Sequence, residues 1–291
     1  MIWQNYKQLY WNALKQYSPK FQKELQRQVD TYCKTEDYNA ISSKGIKKTI
    51  KQLHTALGTK MAGIAYKDVK KGVKSFNGPL ETKSELVDLW AYTILTYLET
   101  KGLENLAEGI TDTTKEQIRN FLIQAQEQNL TMQQAIALLR TSGITNFRAE
   151  LIARTETGRA ANIGSVVGAV STGLVTVKEW ISTQDSRTRR IPRDQTDHLH
   201  LDGVKVPLDD KFTVLGTKYI DLMLHPCDST AHAGNVCNCR CTLGYEAQRD
   251  SSGKLLRLEN NPPQGDVGRI WAIFNDTTGR QIKDLIAEAL R

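Results

Sequence analysis

The chain has 291 residues, 40% of them apolar and 24% charged, enough to fill two modest cores and unlike a disordered or fibrous polymer. It carries 39 Lys and Arg against 32 Asp and Glu, a formal charge of +7, which favours polyanionic partners without requiring them. No apolar run approaches the roughly 20 residues that cross a bilayer, and Met1 to Tyr17 lacks the apolar stretch of a signal peptide, so the expectation is a chain made in and kept in the cytoplasm, with no membrane partner.

Trp3, Tyr6, Leu9, Tyr10, Leu14 and Tyr17 recur at three- and four-residue spacing and predict a helix with one aromatic face, either a core face or a docking face for a partner. Phe21, Leu25, Val29 and Tyr32 predict a second helix. From Lys44 to Lys74 nine lysines face a single acid, Asp68, and the glycines at 45, 58, 63, 72 and 78 argue against one long helix there. That segment is a solvated basic surface or one that meets DNA through Lys47, Lys48, Lys70 and Lys71.

Leu86, Leu89, Trp90, Ile94 and Tyr97 predict a helix entered at Thr82 or Ser84 and left at Gly102. Thr113 with Glu116, and Thr131 with Gln134, read as capping boxes that open two more, the second closed by Gly143. Beyond Thr145 a long helix reaches about Val170. The period then changes to two through Leu174, Thr176, Lys178 and Trp180, after Gly173. Short β-prone pieces follow at Val204 to Leu208, Lys211 to Leu215 and Cys241 to Tyr245, between turn residues. After Asp250 a loop-like stretch is expected, closed by a helix from Thr277 to Arg291. The fold class is therefore α+β: a mainly helical region over residues 1–140, a small turn-rich α+β domain over 141–250, and a loop with a closing helix over 251–291.

Four of the five cysteines, at 227, 237, 239 and 241, cluster, which in a cytosolic chain points to a metal site before disulfides. Cys33 stands apart as core filler. Glu150 and Arg154 lie four apart on the long helix and can pair, while Gly158 on the same face permits close approach of another element.

Chemically suggestive residues occur in a fixed order: Ala153-Arg154-Thr155-Glu156, then Asn162, Lys178-Glu179-Trp180, Asp185-Ser186-Arg187-Thr188-Arg189, and His198-Leu199-His200-Leu201-Asp202-Gly203. Val206-Pro207-Leu208-Asp209, Pro226-Cys227-Asp228 and Asn238-Cys239-Arg240-Cys241 complete it. Over about residues 140 to 246 this series resembles the head morphogenesis domain of the Mu F-like minor head proteins of tailed phages. The gap from Arg189 to His198 is longer than is usual in that family.

The resemblance implies a minor head protein of the virion, near the portal or the head interior, that assists procapsid assembly or handles packaged double-stranded DNA. Portal protein and major capsid protein are its implied partners. Asp185, Arg187, Arg189 and Asp202 are expected to hold neighbouring turns together through opposite charges, with Arg154, Glu156, Asn162, Trp180, Gly203 and Asp228 as structural members of the motif. Cys239 and Cys241, completed by His198 in the family's His position and by Cys227 or Cys237, are the candidate ligands of a structural Zn²⁺; the other reading is reduced, buried thiols with His198 bonded to a loop carbonyl.

Two alternatives belong to other classes. His198, Glu156, Asp202 and two arginines could assemble a nuclease or transferase site, yet the chain lacks a phosphate loop, a nucleophile turn and a His-Glu-x-x-His helix, so no enzyme is expected. A zinc-containing nucleic-acid-binding module would use the charge and the cysteines, but the paired spacings of zinc fingers are missing.

Overall fold

Helix α1 (Ile2–Thr35) places Tyr6, Tyr10, Leu14, Tyr17, Phe21, Leu25, Val29 and Tyr32 on one buried stripe. The computed structural model, which describes residues 2–71, 73 and 83–276, thus joins the two expected helices into one of 34 residues with Pro19 inside it. Proline removes one backbone bond, but a stripe buried along its whole length repays that loss through packing. The aromatic face is a core face. It is not free for docking.

The basic segment forms one helix, α2 (Lys44–Val69), despite Gly45, Gly58 and Gly63. The expectation of an interrupted segment fails because Ile46, Ile50, Leu53, Leu57 and Met61 make a continuous buried stripe, and Gly58 is used for contact, not for a turn. Lys74 and Thr82 lie outside the described residues. Helices α3 (Lys83–Thr100) and α4 (Leu103–Glu127) follow, separated at Gly102 with φ of 78°. The expected helix start at Thr113 is absent: α4 runs through it, and the Thr113 hydroxyl donates to the Gly109 carbonyl at 2.8 Å within the helix. At α5 (Met132–Thr141), Thr131 and Gln134 form the capping box, and Gly143 follows the helix at φ of 64°.

Helix α6 (Asn146–Val170) is the centre of the molecule, with every residue from Thr155 to Val170 buried. After Gly173 the chain enters β1 (Thr176–Ile181), then β2 (Lys205–Pro207), the hairpin of β3 (Phe212–Val214) and β4 (Asp221–Met223), the single turn α7 (Ala233–Val236), and β5 (Thr242–Ala247). Strands β2, β1 and β5 form an antiparallel sheet in that order, with Trp180 opposite Leu243 and Lys178 opposite Tyr245. Strand β4 was not expected from sequence.

Helix α8 (Gly265–Asp276) occupies part of the stretch expected to be loop. Its Val267, Ile270 and Phe274 are buried, and Lys101 on α3 holds Asp266 at 2.8 Å. The two prolines that suggested a loop only precede it. The expected helix from Thr277 to Arg291 lies outside the described residues.

One hydrophobic cluster contains residues of α1, α2, α3, α6, the sheet and α8, so the core crosses the division expected after residue 140. A smaller cluster joins Val29, Tyr32, Cys33 and Ile41 to Ile118 on α4 and Leu139 on α5. Where α2 crosses α6 the backbones touch: a Cβ on Gly164 would lie 2.2 Å from the Gly58 carbonyl oxygen, and one on Gly168 would lie 2.1 Å from that of Ala62. In an open helix Gly→Ala gains up to about 1 kcal/mol. Here Gly164→Ala should instead destabilise by about 1–3 kcal/mol through overpacking against backbone. A urea midpoint that stays put or rises would show that the crossing tolerates a methyl group.

On β1, Thr176, Lys178 and Trp180 point inward. Lys178 is fully buried; its ammonium donates to the Leu224 carbonyl at 2.7 Å and sits 5.3 Å from the centre of the Phe212 ring. Burial pushes its pKa from 10.5 to about 7, with Asp209, Asp210 and Asp228 opposing the fall. The folded value is the lower one, so between about pH 7 and 10 the unfolded chain binds more protons and stability rises with pH. Lys178→Met removes that term. The stability of the native chain relative to the variant should climb by up to about 1.4 kcal/mol per pH unit from pH 7 to 9 in urea titrations. Parallel pH profiles would mean that Lys178 keeps its ordinary pKa.

Candidate metal centre

The buried face of α6 holds the loop from Asn238 to Cys241 through backbone groups. Thr155 Oγ1 accepts from the Asn238 N–H at 3.2 Å, and the Asn162 amide donates to the Cys241 carbonyl at 3.1 Å and to that of Gly158 at 2.9 Å. Between them Gly158 leaves the space the loop needs: a Cβ there would lie 2.7 Å from Cys227 Sγ and 3.1 Å from the Cys239 oxygen. From α1, the Tyr6 hydroxyl donates to the Cys241 carbonyl at 3.4 Å, and that of Tyr10 to the Arg154 carbonyl at 3.4 Å. The loop is thereby pinned from two helices.

This clamp brings Cys239 and Cys241 to His198. His198 Nδ1 lies 3.5 Å from Cys239 Sγ and 3.7 Å from Cys241 Sγ, and the three ligand atoms fall within 4.8 Å of one another, all buried. Trp180 packs edge-on against the imidazole at 5.5 Å between ring centres. The other ring nitrogen, Nε2, is 2.9 Å from Asn235 Oδ1, while Asn235 Nδ2 donates to Asp221 Oδ2 at 2.6 Å. The Asp221 carboxylate fixes which way the amide points, so the amide oxygen faces His198 and the ring proton sits on Nε2. Nδ1 then presents a lone pair to the two sulfurs.

Of the other candidate ligands, Cys227 is fully buried beside Cys239, its Sγ 3.5 Å from the Cys239 carbonyl oxygen. Cys237 is only partly buried, and its carbonyl accepts from Arg189. Cys239 is held well below the usual thiol pKa by hydrogen bonds from Cys227 and Cys241, whose own values are raised because they donate to it and are buried. Thiolate character gathers on the middle sulfur.

The remaining motif residues brace this centre. Asp185 takes both arms of Arg240 at 2.5 and 2.8 Å, a bond that holds its carboxyl at about 2. Asp202 accepts from the Ser182 N–H at 2.7 Å and from the Gln184 amide, and Gly203, at φ of 79°, donates to the Trp180 carbonyl at 2.9 Å. The expected pairing of Asp202 with Arg187 and Arg189 is therefore replaced: backbone geometry satisfies Asp202, Arg189 bonds Cys237, and Arg187 is exposed. The long connection from Arg189 to His198 folds back on itself, with the His198 N–H donating to the Arg189 carbonyl at 3.0 Å.

Arg154 pairs with Glu150. Glu156 is buried between Arg159 at 2.5 Å and His54 Nε2 at 3.2 Å; burial opposes its ionisation, but the Arg159 charge and the His54 bond outweigh that and lower its pKa. Arg159 Nε also holds the Cys227 carbonyl at 3.2 Å. Asp228 accepts from the Leu224 N–H at 2.8 Å and the Thr230 N–H at 3.0 Å. Glu156 and Asp202 are thus engaged in structural bonds of their own and do not join His198. Among the lysines, Lys47 pairs with Glu104, Lys71 lies 3.6 Å from Asp68, Lys70 lies over the Tyr66 ring at 4.9 Å, and Lys48 is exposed.

Several members of the centre were not singled out from sequence: Tyr6, His54, Arg159, Asp221, Asn235 and the role of Arg240. Tyr6 was marked only as part of an aromatic stripe, and each acts on the centre across a sequence separation that no local pattern reveals. Only Arg240, inside Asn-Cys-Arg-Cys, stood within a recognisable motif.

The family model described as phage Mu protein F like protein matches residues 116–244, beginning earlier than the motifs suggest, within α4. A curated protein similar to the chain is the NAD(+)--arginine ADP-ribosyltransferase EFV of Enterococcus faecalis, 34% identical over 115 residues. That match covers 36% of this chain, and the chain spans about a fifth (21%) of the relative's length. No solved structure matches. No helix among the described residues is long and apolar enough to cross a membrane. Residues 116–244, which contain the clamped cysteine loop and its histidine, are thus similar to the phage Mu protein F like family.

Proposed function

We propose that the chain is a minor head protein, carried in the head interior or beside the portal, that assists procapsid assembly or handles packaged DNA, and that it is not an enzyme. The observation that carries this reading is the use to which the motif residues are put. Glu156, Asn162, Asp185, Asp202 and Arg240 bond a neighbouring loop or helix, while Arg154 and Asp228 brace their own helix and turn, which is scaffolding chemistry and leaves, among the described residues, no convergent set of unpaired acid, base and nucleophile. Portal protein and major capsid protein are the proposed partners. The activity in the name of the Enterococcus faecalis relative belongs to that protein, most of whose length has no counterpart here.

The test is a phage carrying a stop codon early in this gene. Heads that lack this chain should be fewer, or filled with less DNA, while portal and major capsid protein are made normally; wild-type yield and DNA content would overturn the proposal. The enzyme alternative has its own assay: the purified chain should transfer no labelled ADP-ribose from NAD to arginine-containing acceptors and should leave plasmid DNA intact with added divalent metal.

Contact with double-stranded DNA is proposed for the exposed lysines Lys48, Lys60 and Lys67, which with Lys44 are the exposed lysines of α2, and for Lys71 just beyond the helix. Lys47, committed to Glu104, contributes less than its position suggests. Binding should be non-specific and weaken steeply with salt, log affinity falling by about 0.9 per neutralised phosphate for each unit of log salt. Exchanging Lys48, Lys60 and Lys67 for Gln should flatten that slope. An unchanged slope, or no binding at low salt, would make α2 a solvated face only.

A further inference from the structure

We propose that His198 Nδ1 and the sulfurs of Cys227, Cys239 and Cys241 form a closed structural Zn²⁺ site, with Cys237 outside it. The inference is independent of the head-protein reading, since a structural metal would serve this fold in any role.

Distance carries the first part of the argument. A tetrahedral zinc with Zn–S near 2.3 Å and Zn–N near 2.05 Å sets a nitrogen and a sulfur ligand roughly 3.5 Å apart. His198 Nδ1 stands 3.5 and 3.7 Å from the two sulfurs, spacings that place one ion in contact with all three atoms. Thiol-to-imidazole hydrogen bonding accounts for one such contact at a time. Two sulfurs on one nitrogen exceed what a single lone pair can accept.

The second part is the orientation of the histidine. Metal-bound imidazoles characteristically donate their remote N–H to a carbonyl or carboxylate that fixes the ring, and the Asp221–Asn235–His198 chain supplies that support from two different elements, β4 and α7. It turns the unprotonated nitrogen toward the sulfurs. The pairing of a buried Asp with a buried Asn is costly to maintain and is explained by what it holds in place.

The fourth ligand follows from position. Cys227 and Cys237 were equal candidates along the chain, and neither belongs to the group of three whose ligand atoms fall within 4.8 Å of one another, but Cys227 is fully buried against Gly158 with its Sγ 3.5 Å from the Cys239 carbonyl oxygen, whereas Cys237 is partly exposed. Each thiol releases its proton to solvent when the metal binds, giving three thiolates and one neutral imidazole around the dication. Arg159 and Arg189 lie near enough to offset the resulting single negative charge. The ion would join three chain segments that are far apart in a turn-rich region: the loop before β2, the turn after β4, and the Asn-Cys-Arg-Cys loop.

The experiment uses the full chain purified without chelator. Elemental analysis should give about one zinc per chain, and a chelator should lower the melting temperature. Cobalt exchanged into the same chain should show the visible bands of tetrahedral coordination with thiolate-to-metal charge transfer. Cys237→Ser should keep metal and spectrum, while Cys227→Ser should change the cobalt spectrum and weaken binding. Asn235→Ala should lower zinc affinity by about 10- to 100-fold with the helical signal preserved. If Cys227→Ser fails to fold, the wild-type cobalt spectrum and Cys237→Ser still decide the matter. Less than about half an equivalent of metal with a melting temperature indifferent to chelator would overturn the site. Retention of the full spectrum in Cys227→Ser, or its loss in Cys237→Ser, would overturn the ligand set.

Discussion

The rest of the structure depends on how closely α2 and α6 approach. With glycine at 58, 164 and 168, the two backbones meet at distances that leave no room for a Cβ, and α6 can sink into the middle of the molecule. A helix so placed has no solvent face from Thr155 to Val170, so its polar residues must find partners inside the protein. Several find them in the loops of the α+β half. Thr155, Asn162 and Ser165 bond the segment from Asn238 to Tyr245, and Arg159 bonds the turn at Cys227.

Burial of polar groups in this way gives the small sheet its position. A three-stranded sheet with short strands has little core of its own, and residues such as Trp180, Leu243 and Tyr245 gain theirs by facing α6, α1 and the β3–β4 hairpin. The helical half is therefore part of the same folding unit as the family domain. Tyr6, near the start of the chain, reaches Cys241, 235 residues away, and the first turns of α1 close over the cysteine loop. The buried Glu156–Arg159 pair with His54 performs a similar service between α2 and α6, where a lone charge would be costly and the paired charges favour one arrangement.

Several charges of this protein act locally. Arg240 on Asp185, Lys47 on Glu104, Lys101 on Asp266 and Arg154 on Glu150 all fasten one segment to another or stiffen a helix. The excess that remains lies in exposed lysines, where it can act at a distance on a polyanion. A sum over the sequence does not distinguish these two uses.

Much of the local architecture was legible in the residues themselves. The 3.6-residue stripes located most of the helices, the Thr131–Gln134 box and Gly143 bounded α5, and the alternation through Trp180 marked β1, because caps, periods and positive-φ glycines are read from neighbours in the chain. The ordered motif series likewise pointed to the family and to His198, Cys239 and Cys241, since it consists of residue types in fixed order. What the sequence could not decide was anything set by contact between distant segments. Whether Gly58 breaks a helix or lets one approach depends on Gly164, whether Pro19 ends α1 depends on the core beneath it, and whether Cys227 or Cys237 joins His198 depends on the space that Gly158 leaves. Those choices belong to the tertiary structure because the energy of close packing and of buried hydrogen bonds exists only once both partners are in place.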